Sequence, residues 1–327
     1  MKRRAFITLL GSATAWPLAA RAQQAAVPII AFVNGRSPES GAPFAAAFRK
    51  GLMEAGYNDG QNVTLEYHWL SGNYDSLSEL MADLVHRRVA VIATPGSNPA
   101  ALAAKAATTA IPIVFGVGVD PVQLGLVTSL ARPGGNATGV NFFVGDVNAK
   151  RLGLLHELAP NAARIAVLVN SANAPVADAT ARDMPEAARA LGLQISMLNA
   201  STSRDIDRAF ASLVRERADA LYVAPDGFFS SRRVQFATLA ARHAIPAAYG
   251  DRYYAEVGGL MSYGTDIAEM YKQVGDYCGR ILRGAKPGDL PVTQSTKFEF
   301  VINLQTARVL DLDVPPMLLA RADEVIE

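Results

Sequence analysis

The sequence predicts an α/β protein built as two doubly wound parallel-sheet lobes, and three observations carry that prediction. Apolar runs rich in Val, Ile and Ala alternate with amphipathic stretches along the chain, the pattern of parallel strands covered by helices on both faces. The pattern also comes twice. In the first copy Ile29-Ile30-Ala31-Phe32-Val33-Asn34 leads through a helical stretch closing on Glu54-Ala55-Gly56 to Val89-Ala90-Val91-Ile92-Ala93-Thr94, which stops at Pro95. In the second, Ile165-Ala166-Val167-Leu168-Val169-Asn170 leads through Ala190-Leu191-Gly192 to Asp219-Ala220-Leu221-Tyr222-Val223-Ala224, which stops at Pro225. Each copy then adds an Ala-rich helix ending in Ile-Pro and one more apolar run, so both read as a β-α-β-α-β unit. Finally, 327 residues exceed what one core usually grows to, which favours two lobes over one large sheet.

Taken in order, strands are expected at 29–33, 89–93, 111–115, 165–169, 219–223 and 245–249. Their near-continuous apolarity requires both sheet faces to be covered. Helices are expected at 42–55, 75–87, 99–109, 178–191, 203–217 and 231–243, where Ala, Leu and Arg recur at helical spacing. Arg132-Pro133-Gly134-Gly135-Asn136 reads as a turn into a strand that crosses from the first lobe to the second. A second crossing is expected after Tyr249, which places a strand from Gly258 and a helix at 266–283 back in the first lobe. A third is expected between Pro291 and Asn303. The expected division is therefore 27–140 plus about 257–288 for lobe one, and 141–256 plus about 289–327 for lobe two. Several crossings form a hinge that opens and closes but resists twisting.

Residues 1–22 read as a signal peptide. Lys2, Arg3 and Arg4 precede a short apolar region, and Ala20-Arg21-Ala22 has the small-x-small form of a cleavage site. Arg3-Arg4 followed by Phe6-Ile7 also resembles a twin-arginine export signal, with the general export route as the alternative. The mature protein is expected in the periplasm. Removing four basic residues from 31 leaves 27 against 30 acidic ones, a net charge of −3. Such a surface argues against nucleic acid as a partner, which calls for a basic stripe. Cys278 stands alone and reads as a buried structural thiol.

Catalytic signatures fail on spacing. Gly259-Leu260-Met261-Ser262-Tyr263-Gly264 has one residue too many before its serine for a nucleophile elbow. Gly116-Val117-Gly118-Val119-Asp120-Pro121 puts proline where a dinucleotide loop needs its third glycine. His68, His86, His156 and His243 are scattered without ligand spacing. No enzyme activity, metal or cofactor is expected.

The strand ends are more informative, because ligands of open parallel sheets bind beyond the carboxyl ends of the strands. Those ends carry small polar residues, which cap helices or contact a ligand. The candidate ligand-binding residues are Asn34, Ser97, Asn98, Asp120, Asn170, Asn173, Asp226, Tyr249 and Tyr263. A ligand carboxylate is expected near Ser97 and Asn98, and an amino or polar group near Asp226. Aromatic residues near the hinge and cleft, Phe142, Phe228, Tyr253 and Tyr254 among them, suit a flat ligand.

Four segments carry a family resemblance: Asp120-Pro121-Val122, Leu130-Ala131-Arg132-Pro133-Gly134-Gly135-Asn136-Ala137-Thr138-Gly139-Val140, Gly258-Gly259-Leu260-Met261-Ser262-Tyr263-Gly264 and Leu318-Leu319-Ala320-Arg321-Ala322-Asp323-Glu324-Val325-Ile326. With the leader they resemble the ABC transporter substrate-binding family that includes tryptophan- and tyrosine-binding members. The resemblance implies a type I-like periplasmic-binding-protein fold with a multi-crossover hinge. It further implies capture of a small-molecule ligand by a monomer and delivery to an ABC permease in the inner membrane. The leading ligand expectation is an aromatic amino acid or aromatic carboxylate. The alternative is a ligand-sensing module for a receptor kinase or chemoreceptor.

Overall fold

The computed structural model describes residues 27–142 and 145–327, so the signal-peptide reading of 1–22 lies outside the described residues. In β1 (Ile29–Asn34) successive side chains turn to opposite cores. Ile30 and Phe32 pack with Phe44 and Phe48 on one face, while Ala31 and Val33 pack with Leu77 and Met81 on the other. The same alternation holds after the midpoint. Ile165, Val167 and Val169 enter one cluster, and Ala166 and Leu168 enter another with Phe210 and Phe236. Each sheet is thus buried on both faces, as apolar runs without polar alternation require.

The first copy runs through β1, α1 (Pro38–Glu54), β2 (Thr64–Trp69), α2 (Leu77–His86), β3 (Val91–Pro95), α3 (Asn98–Ala107), β4 (Ile113–Val117) and β5 (Ala137–Asn141). The second runs through α4 (Gly145–Leu158), β6 (Arg164–Val169), α5 (Ala174–Ala190), β7 (Gln194–Asn199), α6 (Ser203–Arg215), β8 (Ala220–Val223), α7 (Gly227–Ser231), α8 (Arg233–Arg242), β9 (Ala247–Tyr249) and β10 (Met261–Thr265). After these come α9 (Ile267–Leu282), β11 (Thr293–Gln294), β12 (Phe298–Asn303), α10 (Leu304–Val309), α11 (Pro316–Leu319) and β13 (Glu324–Ile326).

Strand order shows the repeat directly. The first sheet reads β11-β5-β4-β3-β1-β2 and the second β13-β12-β10-β9-β8-β6-β7. Within them the runs 5-4-3-1-2 and 10-9-8-6-7 are the same permutation, one per copy. All pairings are parallel except β10 with β12.

Two expectations differ from this arrangement. Each copy contains one strand more than the apolar runs suggested, because β2 and β7 lie at sheet edges with mostly half-buried residues and so lack a continuous apolar run. The strand after Gly258, expected in the first lobe, is β10 and pairs with β9 and β12 of the second sheet. The reason is the repeat itself, since β10 is the counterpart of β5 and completes its own sheet before the chain leaves.

The second crossing therefore falls at Asp266 and not after Tyr249. Its neighbours are the other two crossings. Thr265 Oγ1 donates to the Phe142 carbonyl (2.8 Å), the Asp266 amide donates to the Lys297 carbonyl (3.2 Å), and Lys297 Nζ reaches Asp266 Oδ2 (2.8 Å). Beyond Asp266, α9 returns to the first lobe and packs against α1. A Cβ on Gly51 would overlap the Lys272 carbonyl oxygen, and one on Gly275 would overlap the Phe48 carbonyl oxygen. The glycines let the two helix backbones touch. Cys278 is buried at this contact, and burial pushes its thiol pKa up.

Candidate functional site

A cavity lies between the lobes where the carboxyl ends of the two sheets face each other. Counted over positions a water's centre can reach, its volume is about 50 Å³, where one water needs about 10–15 Å³. That is the space of a few water molecules.

The first-lobe wall begins at β1. Asn34 is buried, and its amide donates to the Pro95 carbonyl (2.6 Å) and to the Tyr271 hydroxyl (2.7 Å), while its Oδ1 accepts from the Arg36 amide (2.9 Å). These bonds tie the ends of β1 and β3 to α9. They also aim Arg36, 7% exposed, into the cavity, with its guanidinium 4.2 Å above the Phe44 ring. Gly96, after β3, sits at φ +73°, and a Cβ there would come 2.8 Å from the Tyr271 hydroxyl. Asn98 lines the wall and accepts from the Gly118 amide (3.3 Å), at the N-terminal end of α3.

The second-lobe wall is acidic. Asp226 ends the β8 loop and caps α7, accepting from the Phe229 amide (3.1 Å), Asn170 Nδ2 (3.0 Å) and Asn173 Nδ2 (3.0 Å). Asp251, after β9, accepts from Ser230 Oγ at 2.9 Å, and its Oδ2 lies 3.5 Å from Arg36 Nη2 of the opposite lobe. Asn173 Oδ1 and Asp251 Oδ1 are buried and have no hydrogen-bond partner among the described residues. Tyr254 and Tyr271 also line the cavity, and burial pushes both phenol pKa values up, with Asp251 adding to the rise at Tyr254 and Arg36 opposing it at Tyr271. Both phenols stay neutral hydrogen-bonding groups. Phe142, Ile267 and Met270 complete an apolar end beside the crossings.

Of the nine residues expected from the sequence, Asn98, Asn173 and Asp226 line the cavity. The other six do other work. Asn34 spends its amide on the framework just described, and Ser97 Oγ caps α3 by accepting from the Ala100 amide (3.4 Å). Asp120 closes a turn, accepting from the Val122 amide (2.8 Å), and Asn170 orients Asp226. Tyr249 is fully buried and stacks on Tyr254 with centroids 4.3 Å apart. Tyr263 stacks on Phe298 with centroids 6.1 Å apart, and its carbonyl accepts from Arg151 Nε (2.6 Å). Phe142 and Tyr254, expected among the aromatic residues near the cleft, also line the cavity, whereas Arg36, Asp251 and Tyr271 were not expected there. Arg36 and Asp251 stand in the strand-end segments Asn34-Gly35-Arg36-Ser37 and Tyr249-Gly250-Asp251, but a charge in a loop ordinarily reads as solvated. Tyr271 comes from α9, whose return to this lobe no local signal aligns with the cleft.

Outside the cavity the lobes also touch. The Ser37 amide donates to Ser231 Oγ (3.1 Å), Ser231 Oγ and Ser40 Oγ are 2.8 Å apart, and a Cβ on Gly72 would come 2.7 Å from that of Phe228.

Comparison with known proteins follows the same lines. Residues 24–326 match the family model described as ABC transporter substrate binding protein. A tyrosine-binding protein of Clostridioides difficile (strain R20291) is 30% identical over 267 residues, covering 81% of this chain and 75% of that protein. A Streptococcus pneumonia ABC domain solved in complex with L-Trp superposes with a TM-score of 0.82 at 25% identity, covering 91% of this chain and 99% of that one. A Clostridium difficile substrate binding protein with adhesive properties, solved in its ligand-free, open structure, superposes with a TM-score of 0.63 at the same 25% identity, covering 92% and 99%.

Proposed function

Because the chain belongs to the ABC transporter substrate-binding protein family and has the type I periplasmic-binding-protein fold, we propose that it captures an aromatic amino acid or aromatic carboxylate by lobe closure. It then hands the solute to an ABC permease of the inner membrane. The protein works as a periplasmic monomer after loss of residues 1–22. The observation that carries this reading is a cavity walled from both lobes, polar at the strand ends and apolar beside the crossings. The ligand's polar groups face Asn98, at the N-terminal end of α3, and Asp226, while its ring faces Phe142, Ile267 and Met270.

Closure is supported by the lobe-to-lobe contacts and by the likeness to solved relatives. At equal identity the L-Trp complex superposes better than the ligand-free, open structure, TM-score 0.82 against 0.63. A ligand drives closure only through differential affinity for the closed state, and moving from 1:99 to 99:1 takes about 5.5 kcal/mol of it. Contacts to both walls at once supply such a difference, since an open cleft offers one wall at a time.

The test is mass spectrometry of small molecules released from protein purified without refolding, followed by a melting screen of amino acids and aromatic acids. A ligand at 100 times its dissociation constant adds about 2.7 kcal/mol of stability, a readily measured shift. A broad screen without any shift would remove the aromatic ligand class while leaving the fold assignment untouched.

A further inference from the structure

Asp251 holds a position unlike any other acid among the described residues. One of its oxygens is committed across the cleft and the other is committed to nothing. Oδ2 accepts from Ser230 of its own lobe at 2.9 Å and faces Arg36 of the opposite lobe at 3.5 Å. Oδ1 is buried and has no hydrogen-bond partner among the described residues, the same holds for Asn173 Oδ1, and both residues line the cavity. Asp251 is 8% exposed and Asn173 6%, so bulk water does not reach them freely. A buried carboxylate oxygen left unpaired is costly, and two such acceptors in one wall call for a donor from the occupant.

Charge makes the demand specific. The wall carries two carboxylates, Asp226 and Asp251, against one guanidinium, Arg36, among the described residues. The three donors on Asp226 are neutral amides and cancel none of its charge. A ligand with a carboxylate and no ammonium brings no N–H donor to these two carboxylates. One with an ammonium supplies N–H donors and positive charge together.

Resting on the solute-capture reading above, we propose that Asp251 is a specificity-determining residue that makes closure conditional on a ligand ammonium. Oδ1, together with Asn173 Oδ1, receives that ammonium while Oδ2 holds Arg36 of the other lobe. In the open arrangement Asp251 and Arg36 are solvated separately. Closing desolvates both and leaves Oδ1 without a donor unless the ligand brings one. Ligands of the same shape without an ammonium therefore fit the cavity and fail to hold it shut.

The test uses matched pairs differing only in the amino group: L-tyrosine with 3-(4-hydroxyphenyl)propionate, and L-tryptophan with indole-3-propionate. Calorimetric titration of the mature wild-type protein should show the amino acid binding tighter on the order of 10- to 100-fold. In Asp251→Asn the gap should shrink to a few-fold, chiefly by weakening of the amino acid. Ser231→Ala, which removes a contact between the lobes outside the cavity, should weaken both members alike and so marks a purely mechanical effect. Equal wild-type affinity within a pair overturns the proposal, and so does an Asp251→Asn variant that weakens both members by one factor. Should that variant not fold, the wild-type pairs decide alone. If neither pair binds, a panel of aliphatic amino acids, polyamines and neutral sugars separates the two readings. Binding of an ammonium-bearing solute removes the aromatic class and supports the role of Asp251, whereas binding only of solutes without an ammonium overturns it.

Discussion

Ser97 and Asn98 are neighbours at the start of one helix, yet they do different work. Ser97 Oγ accepts from the Ala100 amide and is a cap, while Asn98 borders the cavity. Ser97→Ala should therefore lower stability by about 1 kcal/mol in urea titration and leave ligand affinity unchanged within twofold or so. Asn98→Ala should weaken the ligand by about tenfold, the size of one lost hydrogen bond to a charged group, read by calorimetry. Both residues were legible as strand-end polar groups, since such residues cap or bind. Which of the two a given one does depends on where its side chain points, and the local string Pro95-Gly96-Ser97-Asn98-Pro99 leaves that open. Asn34 makes the same point, because its amide reaches Tyr271, 237 positions along the chain.

The helix pair of the first lobe is held by backbone contact. Gly275 lies against the Phe48 carbonyl and Gly279 against Ala55, so a larger residue must push α9 away from α1. Gly275→Leu should destabilise the protein by about 1–3 kcal/mol or more through overpacking, measured as a lower urea midpoint. The start of α9 carries a pH dependence. Burial raises the Asp266 pKa, but its ion pair with Lys297 and its hydrogen bond to the Glu269 amide outweigh that and hold it below the usual range. A carboxyl depressed in the folded state contributes stability above its unfolded pKa, about 3.9, and loses it as pH falls through that value towards the folded one. Asp266→Asn should remove this share, so the urea midpoints of the two proteins, apart at pH 6, should approach each other below about pH 4. The half-buried edge strands β2 and β7 escaped a search for apolar runs, whereas the fully buried strands stood out. Burial on both faces is what writes a strand plainly into a sequence.

At the scale of the molecule, the three crossings sit side by side and the cleft opens away from them. The contacts that span it include the polar pairs Arg36 with Asp251 and Ser231 with Ser37 and Ser40, and the apolar ones Phe44 with Tyr253 and Gly72 with Phe228. Small-angle X-ray scattering of the mature protein should show the radius of gyration fall when the ligand is added, and an unchanged value would remove lobe closure from the mechanism. Interfaces of this kind favour relative motion of the units they join. The crossings are tied to one another through Thr265, Asp266 and Lys297.

The sequence by itself determined that the protein is two copies of one α/β unit, because apolar runs and helical spacing are local and the repeat doubles them. It also marked the strand ends as the place for a ligand, since parallel sheets present their carboxyl ends to one side. Tertiary structure alone decided that β10 belongs to the second sheet, that the chain returns to the first lobe only at Asp266, and that Arg36 and Asp251 meet across the cleft. Each of these joins residues distant in sequence through packing between elements, and no periodicity within one element encodes which partner its far end will face.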